Sequence, residues 1–323
     1  MSYLEAFVIA LTQGFTELFP ISSLGHSVLI PAWIGGGWQT LVTQSSQASS
    51  ESSFYLAYIV ALHVATDLAL FWYFRADWVR IIGGFVRSVA ASARERRFVV
   101  DDKDQRLAWM IIVATIPVGL TGVALEHTFR TLLAKPLAAS IFLFVNGLVL
   151  LLGERFARRN RARRMAPVAA DVPSEDPHPS RARRGANDIR AAREADERLA
   201  RLPFLDALYI GVIQISALFA GISRDGATMV GGLWRGLDRE DAARFAFLLA
   251  TPPILAAGVL KLPSLAGSAG AHIHGQVVMG FFVAGFAALA AVTFLMRWFR
   301  TRTLTPFAIY CLVVGGASFI RFA

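Results

Sequence analysis

Two short polar stretches interrupt otherwise apolar sequence, and their residue types could do chemistry. The first contains, in order, Gln13, Glu17, Pro20, Ser22, Ser23 and His26. Gln13 and Glu17 are four residues apart and share one face of a helix, which Pro20 then ends. A carboxylate, two hydroxyls and an imidazole are the groups that transfer protons and attack phosphorus. The alternative is that the serines only cap a helix and His26 makes one hydrogen bond.

The second stretch is built from small residues around a single arginine. It contains, in order, Ala220, Gly221, Ser223, Arg224, Asp225, Gly226 and Thr228. Glycines let backbone N–H groups approach an anion, a following helix N-terminus adds positive charge, and a guanidinium binds phosphate through two hydrogen bonds. The stretch therefore predicts a diphosphate site. The alternative is an ion pair of Arg224 with Asp225 or Glu17 that only joins two parts of the protein.

The composition places these stretches in a membrane protein. Of 323 residues, 55% are hydrophobic and 17% charged, and the mean hydropathy is +0.51. The net charge of +9 comes mostly from arginines beside apolar segments, which membrane topology explains without nucleic acid. The single cysteine, Cys311, excludes a disulfide framework. The N-terminus lacks the basic region and cleavage site of a secretory signal, so we expect it to be retained.

Six segments are predicted to cross a hydrocarbon core of about 30 Å. They are residues 54–74, 108–126, 136–153, 243–262, 277–297 and 303–321. Residues 3–33 and 204–235 contain the polar stretches in their middle. Such polar residues are costly inside an uninterrupted span, so both segments are predicted to be broken helices that enter the membrane and turn back.

Basic loops predict the orientation. Residues 75–107 contain eight Lys or Arg and residues 154–203 contain thirteen Arg, so both are expected in the cytoplasm. The loops at 35–53 and 263–275 have no Lys or Arg and are expected outside, as are both termini. Residues 154–203 have almost no large apolar side chains, which favours a disordered basic linker between a first membrane repeat, 1–153, and a second, 204–323.

The two polar stretches align at a constant offset of 201 residues. The aligned identities are Gln13 with Gln214, Ile21 with Ile222, Ser22 with Ser223, and Gly25 with Gly226. One re-entrant pair plus three spans in each half would invert the second half relative to the first. The predicted fold is therefore an all-α polytopic membrane protein with an inverted repeat, whose polar turns meet near the membrane midplane.

These motifs resemble those of the bacterial undecaprenyl-diphosphatases, also called undecaprenyl pyrophosphate phosphatases or bacitracin-resistance proteins. The first family motif matches at Gln13, Glu17, Pro20, Ile21, Ser22, Ser23, Gly25 and His26, and the second at Gly221, Ser223, Arg224, Gly226 and Thr228. The resemblance covers both membrane halves. It departs from the family at Ala220, where Pro is usual, and at Asp225, where Ser is usual, whereas Gln13 in place of Glu is a variant that the family tolerates. His63, Thr66 and Asp67 lie where the family also has polar residues, and a packed polar helix face is the favoured interpretation.

The resemblance implies a function and a role for each residue. It implies hydrolysis of undecaprenyl diphosphate, which recycles the lipid carrier for peptidoglycan synthesis, by a multi-pass inner-membrane protein whose site opens outward. Ser23 or a water would attack, with His26 as acid or base and Glu17 orienting His26 or binding Mg²⁺ or Ca²⁺. Substrate binding would fall to Gln13, Ser22, Ser223, Arg224, Gly226 and Thr228. A homodimer is also implied.

A transporter is the competing class of function. Inverted repeats with broken helices are typical of alternating access, so the chain could flip a polyprenyl phosphate with little or no hydrolysis. A catalytically silent relative is a third interpretation, suggested by Asp225. Phosphate release by the purified protein distinguishes the first class from the other two.

Overall fold

The computed structural model describes residues 1–38, 54–132, 135–165, 196–266 and 273–323. The helices in these ranges are α1 (Tyr3–Thr16), α2 (Ser23–Ile34), α3 (Phe54–Tyr73), α4 (Arg75–Glu95), α5 (Lys103–Leu132), α6 (Pro136–Met165), α7 (Phe204–Gln214), α8 (Arg224–Trp234), α9 (Arg239–Ala266), α10 (His274–Thr301) and α11 (Thr305–Phe322). A 3₁₀ turn, Ile215–Leu218, follows α7. These ranges contain no β-strand, and the all-α prediction is confirmed.

Several helices are long and apolar enough to cross a membrane. Four qualify, over Lys103–Leu125, Pro136–Asn160, His274–Thr301 and Thr305–Phe322, and α3 with α4 forms a bent pair that counts as a fifth. This confirms a polytopic membrane protein. The predicted span at 243–262 lies within α9. That helix starts with a charged turn that includes Arg239, Glu240 and Asp241.

Each predicted broken segment consists of two short helices. In the first, α1 ends at Thr16 and α2 begins at Ser23. In the second, α7 and its 3₁₀ turn end at Leu218 and α8 begins at Arg224. Both breaks fall on the polar residues, as the sequence predicts.

The first helix of each broken segment packs against a long helix from the other half of the chain. A Cβ atom on Gly14 of α1 would lie 2.5 Å from the carbonyl oxygen of Ala284 on α10. A Cβ atom on Gly211 of α7 would lie 2.3 Å from the carbonyl oxygen of Ala114 on α5. Only glycine allows the backbones to approach this closely, so the two halves pack tightly against each other at both contacts.

Residues 75–95, predicted to be part of a basic loop, form the helix α4. It turns by 85° from α3 and buries Trp78, Ile81 and Gly84. Its Arg80 bonds to Asp104 at 2.9 Å and to Asp196 at 2.6 Å. The charge count indicated a loop, but the buried residues at helical spacing make the segment an amphipathic helix.

The first residues of the predicted linker belong to a helix. Residues 154–165 continue α6, and Glu154 is buried in an ion pair with Arg239, at 2.6 Å, that ties α6 to α9. Residues 166–195 of the predicted linker and 39–53 of the predicted outer loop lie outside the described residues.

Candidate active site

The first polar turn places a carboxylate and a hydroxyl next to each other. Glu17 follows the last turn of α1, and its backbone N–H still donates to the carbonyl of Gln13 at 2.9 Å. Ser22 then takes a backbone φ of 69° and starts α2, because its side chain accepts a hydrogen bond from the N–H of Gly25 at 3.2 Å. Ser23, the first residue of α2, thereby points back toward Glu17.

The second polar turn has the same local design. Gly221 has a φ of 114°, and a Cβ atom there would lie 2.5 Å from the carbonyl oxygen of Ala139. Glycine is therefore needed at this turn. Ser223 starts α8, since its hydroxyl accepts a hydrogen bond from the N–H of Gly226 at 3.1 Å.

The two turns contact each other directly. The N–H of Gly221 donates to the hydroxyl of Ser22 at 3.1 Å. Asn146 of α6 bridges them, donating to the carbonyl of Pro20 at 2.9 Å and accepting from the N–H of Ser223 at 3.0 Å. The N-termini of α2 and α8 therefore lie close together, and both contribute partial positive charge.

Glu17 is the residue on which the site converges. Its Oε2 accepts hydrogen bonds from Nε2 of Gln13 at 2.7 Å and from Oγ of Ser23 at 2.5 Å. Its Oε1 accepts from the Arg224 guanidinium at 2.8 Å. Both predicted motifs thus meet at one carboxylate, and the Glu17–Arg224 ion pair considered as an alternative is present.

His63 also contacts Glu17, although the sequence favoured a packed polar helix face for it. Its Nε2 lies 3.3 Å from Oε2 of Glu17, and its Nδ1 lies 2.8 Å from the carbonyl oxygen of Ile59. No motif marks His63. The signals in the sequence were an imidazole and a carboxylate, Asp67, four residues apart on one face of an apolar span, at positions where the family also has polar residues.

His26 is also on α2, but its imidazole contacts residues other than Glu17 and Ser23. Its Nδ1 contacts the carbonyl of Ser22 at 2.7 Å, its Nε2 contacts the hydroxyl of Tyr310 at 2.7 Å, and the two rings stack. Among the described residues, neither ring nitrogen bonds to Glu17 or Ser23. The structure therefore does not bring His26 together with Glu17, the residue expected to orient it. Tyr310 was missed, because nothing in the sequence links residues so far apart.

The remaining predicted substrate-binding groups are engaged within the protein. Ser22 and Gly226 take part in the helix caps described above. The hydroxyl of Ser223 also lies 3.5 Å from the carbonyl of Phe19, and that of Thr228 accepts from Gln214 at 3.3 Å. The last two contacts are long for hydrogen bonds, so an anion could replace them at little cost.

Two further carboxylates near Arg224 are buried without hydrogen bonds. Asp225 is 1% exposed, and its Oδ1 lies 3.6 Å from Nε of Arg224. Asp67 is fully buried and interacts electrostatically with Arg224 and Glu17. None of their four oxygens has a hydrogen-bond partner in the described part of the chain. The site therefore contains more buried carboxyl oxygens than its hydrogen bonds satisfy.

The described residues contain no group of three or more His, Cys, Asp or Glu side chains that could hold a metal ion. Oxygen donors are nonetheless present beside Glu17. The Oε1 of Gln13 is buried and has no partner, while its Nε2 is bonded to Glu17. A cation at this position would need further ligands from outside the protein.

Comparison with known proteins agrees with the chemistry of the site. A sequence profile of the family described as Bacitracin resistance protein BacA matches residues 6–317. The chain is 52% identical to Undecaprenyl-diphosphatase 2 of Frankia alni and 52% identical to Undecaprenyl-diphosphatase of Mycolicibacterium paratuberculosis, with 100% of this chain and 98% of each relative covered. It is 37% identical to Undecaprenyl-diphosphatase 2 of Chromobacterium violaceum, over 98% of this chain and 97% of that relative.

Proposed function

Because the chain belongs to the bacitracin resistance protein BacA family, we propose that it hydrolyses undecaprenyl diphosphate to undecaprenyl phosphate and inorganic phosphate. One observation in the structure carries this function. The carboxylate of Glu17 holds the hydroxyl of Ser23 at 2.5 Å and the guanidinium of Arg224 at 2.8 Å. A proton acceptor, a nucleophile and a phosphate-binding cation are therefore adjacent, which is the arrangement that phosphoryl transfer requires.

Arg224 and the N-termini of α2 and α8 bind the diphosphate in this proposal. One guanidinium nitrogen bonds to Glu17, whereas the buried Nε has no hydrogen bond within the described residues and lies 3.6 Å from Oδ1 of Asp225, with which a phosphate oxygen would compete. The hydroxyls of Ser223 and Thr228 also bind the diphosphate, and they give up their long contacts within the protein to do so. Ser22 and Gly226 act indirectly, because their capping bonds hold the two helix N-termini in place.

Glu17 accepts the proton in the first step. Ser23, or a water in its position, attacks the terminal phosphorus and passes its proton to Glu17, the bond from that phosphorus to the bridging oxygen breaks, and undecaprenyl phosphate leaves with the electron pair. Attack by water gives inorganic phosphate directly, whereas attack by Ser23 leaves a phosphoserine, whose P–O bond to Ser23 a water then cleaves to release inorganic phosphate and restore the hydroxyl. The hydrogen bond from Ser23 to Glu17 supports this assignment. His26 contacts Ser22 and Tyr310 instead, so we assign to it proton transfer at the leaving phosphate, after substrate has displaced the Tyr310 hydroxyl.

A divalent cation, Mg²⁺ or Ca²⁺, is proposed from the family resemblance. Both ions take oxygen ligands, and Mg²⁺ often has only one or two protein carboxylates, with substrate and water completing its shell. Glu17 supplies a carboxylate and Gln13 an unpartnered buried carbonyl oxygen on the same helix face. These donors fit such an ion. When bound, it would neutralise charge on the diphosphate.

We further propose that residues 1–153 and 204–323 form an inverted repeat. Ser22 and Ser223 cap equivalent helices, and Gly14 and Gly211 allow equivalent close contacts between the halves. The protein would lie in the inner membrane with the 154–203 linker in the cytoplasm and the site open to the outer side. The homodimer implied by the resemblance stays a prediction, which the mass of the detergent-purified protein tests.

Cysteine labelling tests this topology. The native Cys311 is buried, so its background reaction with an impermeant thiol reagent should be low. A cysteine introduced within 35–53 should react from outside, and one within 154–203 only after the membrane is opened. Equal labelling of both from outside would contradict the inverted repeat.

Phosphate release from undecaprenyl diphosphate by the purified full-length protein tests the function. We expect hydrolysis by the wild type and a loss of about 10² to 10⁴ in kcat for Ser23→Ala if Ser23 is the nucleophile. Ser27→Ala, one turn further along α2, removes a hydroxyl that donates to the Ser23 carbonyl and has no other hydrogen bond among the described residues, and it serves as control. Retained hydrolysis in Ser23→Ala assigns the attack to water, while a wild type that releases no phosphate would overturn the proposed function.

A further inference from the structure

The helix α4 presents a stripe of exposed aliphatic side chains. Val79, Ile82, Val86 and Val89 follow one another at steps of three or four residues, so they share one face of the helix. These four residues, the apolar stripe, are between 43% and 73% exposed. The stripe lies beside the face that α4 buries, which includes Trp78. An exposed apolar surface of this length marks a place where another apolar phase makes contact.

The direction of α4 follows from its angle to α3. The two helices meet at 85° with one residue between them, so α4 lies in the plane of a membrane that α3 crosses. Trp72, in the last turn of α3, is 63% exposed, and the guanidinium of Arg75 lies 5.0 Å from the centre of its ring. Exposed tryptophan and arginine at the end of a span are typical of the membrane–water interface. We therefore place α4 at the depth of that interface.

The arginines of α4 show which way the apolar stripe faces. Arg80, Arg87 and Arg94 are seven residues apart and share a face that lies roughly 130° around the helix from the stripe. Arg80 bonds to Asp196, in the segment before α7, and Arg87 bonds to Asp102, just before α5. Both partners lie outside the helices that could span the membrane. The arginine side therefore faces these polar segments, and the apolar stripe faces the bilayer.

The charge of this region suits an anionic lipid. Residues 75–97 contain six arginines but only two acidic residues. The side chains of Arg87 and Arg94 are 56% and 81% exposed, and their acidic partners lie 3.1 and 3.8 Å away. Exposed ion pairs of this kind contribute little, so headgroup phosphates can replace them. A second copy of α4 would bring the same positive charge and be repelled, which disfavours a protein dimer at this face.

We propose that α4 is an interfacial helix that binds anionic phospholipid. The apolar stripe lies at the boundary between headgroups and acyl chains, while Arg87 and Arg94 reach the headgroup phosphates. The exposed side chains of Leu68 and Trp72 on α3 continue this lipid-facing surface up to the start of α4. The proposal does not depend on the proposed function, because it concerns how the protein contacts the bilayer and not what it hydrolyses.

Fluorescence quenching tests the proposal with the full-length protein in vesicles of equal parts phosphatidylcholine and phosphatidylglycerol. A bimane label is attached to Val86→Cys on the apolar stripe. The matched control is Ala76→Cys, an exposed position on the arginine side of the same helix. The native Cys311 is buried, and labelling of the wild type measures its background. Phospholipid with a nitroxide on its acyl chain quenches labels in the bilayer, and a neutral water-soluble nitroxide quenches labels in water.

We expect the lipid-borne nitroxide to quench the label at Val86→Cys and the water-soluble nitroxide to quench the label at Ala76→Cys. At equal mole fraction, nitroxide-labelled phosphatidylglycerol should quench the label at Val86→Cys about two- to fivefold more strongly than nitroxide-labelled phosphatidylcholine. High salt should reduce this preference. Ile82→Cys, on the same stripe, replaces Val86→Cys if that variant does not fold.

Paired substitutions identify the groups that select the headgroup. Arg87→Gln with Arg94→Gln should remove the preference for phosphatidylglycerol. Lys135→Gln with Arg321→Gln removes two exposed positive charges outside α4 and should leave the preference unchanged. The elution volume and helical content of each variant show that it is folded.

Four results would overturn the proposal. Strong quenching of the label at Val86→Cys by the water-soluble nitroxide would show that the apolar stripe faces water. Protection of that label from both nitroxides would show that protein covers the stripe, as a second copy would. Equal quenching by the two lipids in the wild type, or a preference for phosphatidylglycerol that persists in folded Arg87→Gln with Arg94→Gln, would reject headgroup binding by these arginines.

Discussion

In both polar turns a serine starts a helix by accepting a hydrogen bond from the backbone N–H three residues later. Ser22 does so for Gly25, and Ser223 does so for Gly226, at 3.2 and 3.1 Å. The residue after each serine is therefore held in an equivalent place, at the first position of a helix. The two turns share a backbone frame, so any difference in their chemistry comes from the side chains attached to it.

Those side chains are complementary. At the offset of 201, Ser23 of the first turn corresponds to Arg224 of the second, and Glu17 corresponds to Leu218. In the proposed mechanism one turn provides a hydroxyl and a proton acceptor, and the other provides a phosphate-binding cation but no acid or base at these two positions. Neither turn alone has the groups that hydrolysis needs, so the comparison predicts that activity depends on the contact between them.

The largest effect is expected from the carboxylate of the first turn. Glu17→Gln keeps the shape but removes the proton acceptor, and kcat should fall by about 10³ to 10⁴. Glu5→Gln changes another carboxylate of α1, which takes part only in a capping box, and should retain near wild-type phosphate release. Comparable activity in Glu17→Gln and Glu5→Gln would show that the first turn is not the acid–base half.

The cation of the second turn should have the next largest effect. Arg224→Lys keeps the charge but loses the two-bond contact with phosphate, and kcat/KM should fall by about 10² to 10³. Arg235→Lys, just after the last residue of the same helix, is the control, because Arg235 pairs with Asp206. If kcat/KM falls equally in both lysine variants, the two-bond contact of the Arg224 guanidinium with phosphate is not what the activity depends on.

Asp225 sharpens the comparison, because it places an acid in the phosphate-binding turn. Its carboxylate lies 3.6 Å from Arg224 and competes with substrate for the guanidinium. Asp225→Ser should lower KM by about tenfold, equivalent to about 1.4 kcal/mol.

A titration with Mg²⁺ and Mn²⁺ distinguishes competition between Asp225 and the substrate from a role of Asp225 in binding a cation. In that case Asp225→Ser would need more metal and turn over more slowly, and Gln13→Glu would partly restore it. An unchanged KM together with an unchanged metal requirement would remove Asp225 from the account.

The smallest effect concerns the helix caps. Ser223→Ala loses the bond from Gly226 and should lower stability by about 1 kcal/mol. Ser22→Ala should lower it more, because its hydroxyl also accepts from the N–H of Gly221 across the two turns. Melting temperatures in detergent check the order, and a larger loss in Ser223→Ala would mean that the contact between the turns contributes little.

The sequence predicted the features that depend on local pattern. Polar residues in apolar segments located both breaks, and residue types singled out Glu17, Ser23 and Arg224, which the structure brings together. The helix cap at Ser22 was foreseen only as an alternative, and the cap at Ser223 was not foreseen, although both serines form caps. The helix α4 was predicted as a loop because of its many arginines, although buried residues at helical spacing lie between them.

Contacts between residues far apart in the chain could not be predicted from the sequence. His63 lies on an apolar helix whose rotation about its axis is set by packing, so its approach to Glu17 could not be predicted. The contact of His26 with Tyr310 depends on how α11 packs beside α2. His26 therefore contacts Tyr310 and not Glu17, its expected partner. The burial of Asp67 without a hydrogen bond within the described residues likewise depends on packing and could not be predicted from the sequence.

A double-mutant cycle in phosphate release tests the central claim, that Glu17 and Arg224 from opposite halves of the chain form one site. The wild type, Glu17→Gln, Arg224→Gln and the double variant are compared by kcat/KM under one set of conditions. The Arg224–Glu17 bond at 2.8 Å predicts strong coupling, so the double variant should lose little more activity than the worse single variant. A loss equal to the product of the two single losses would show that the residues act independently and would contradict the claim.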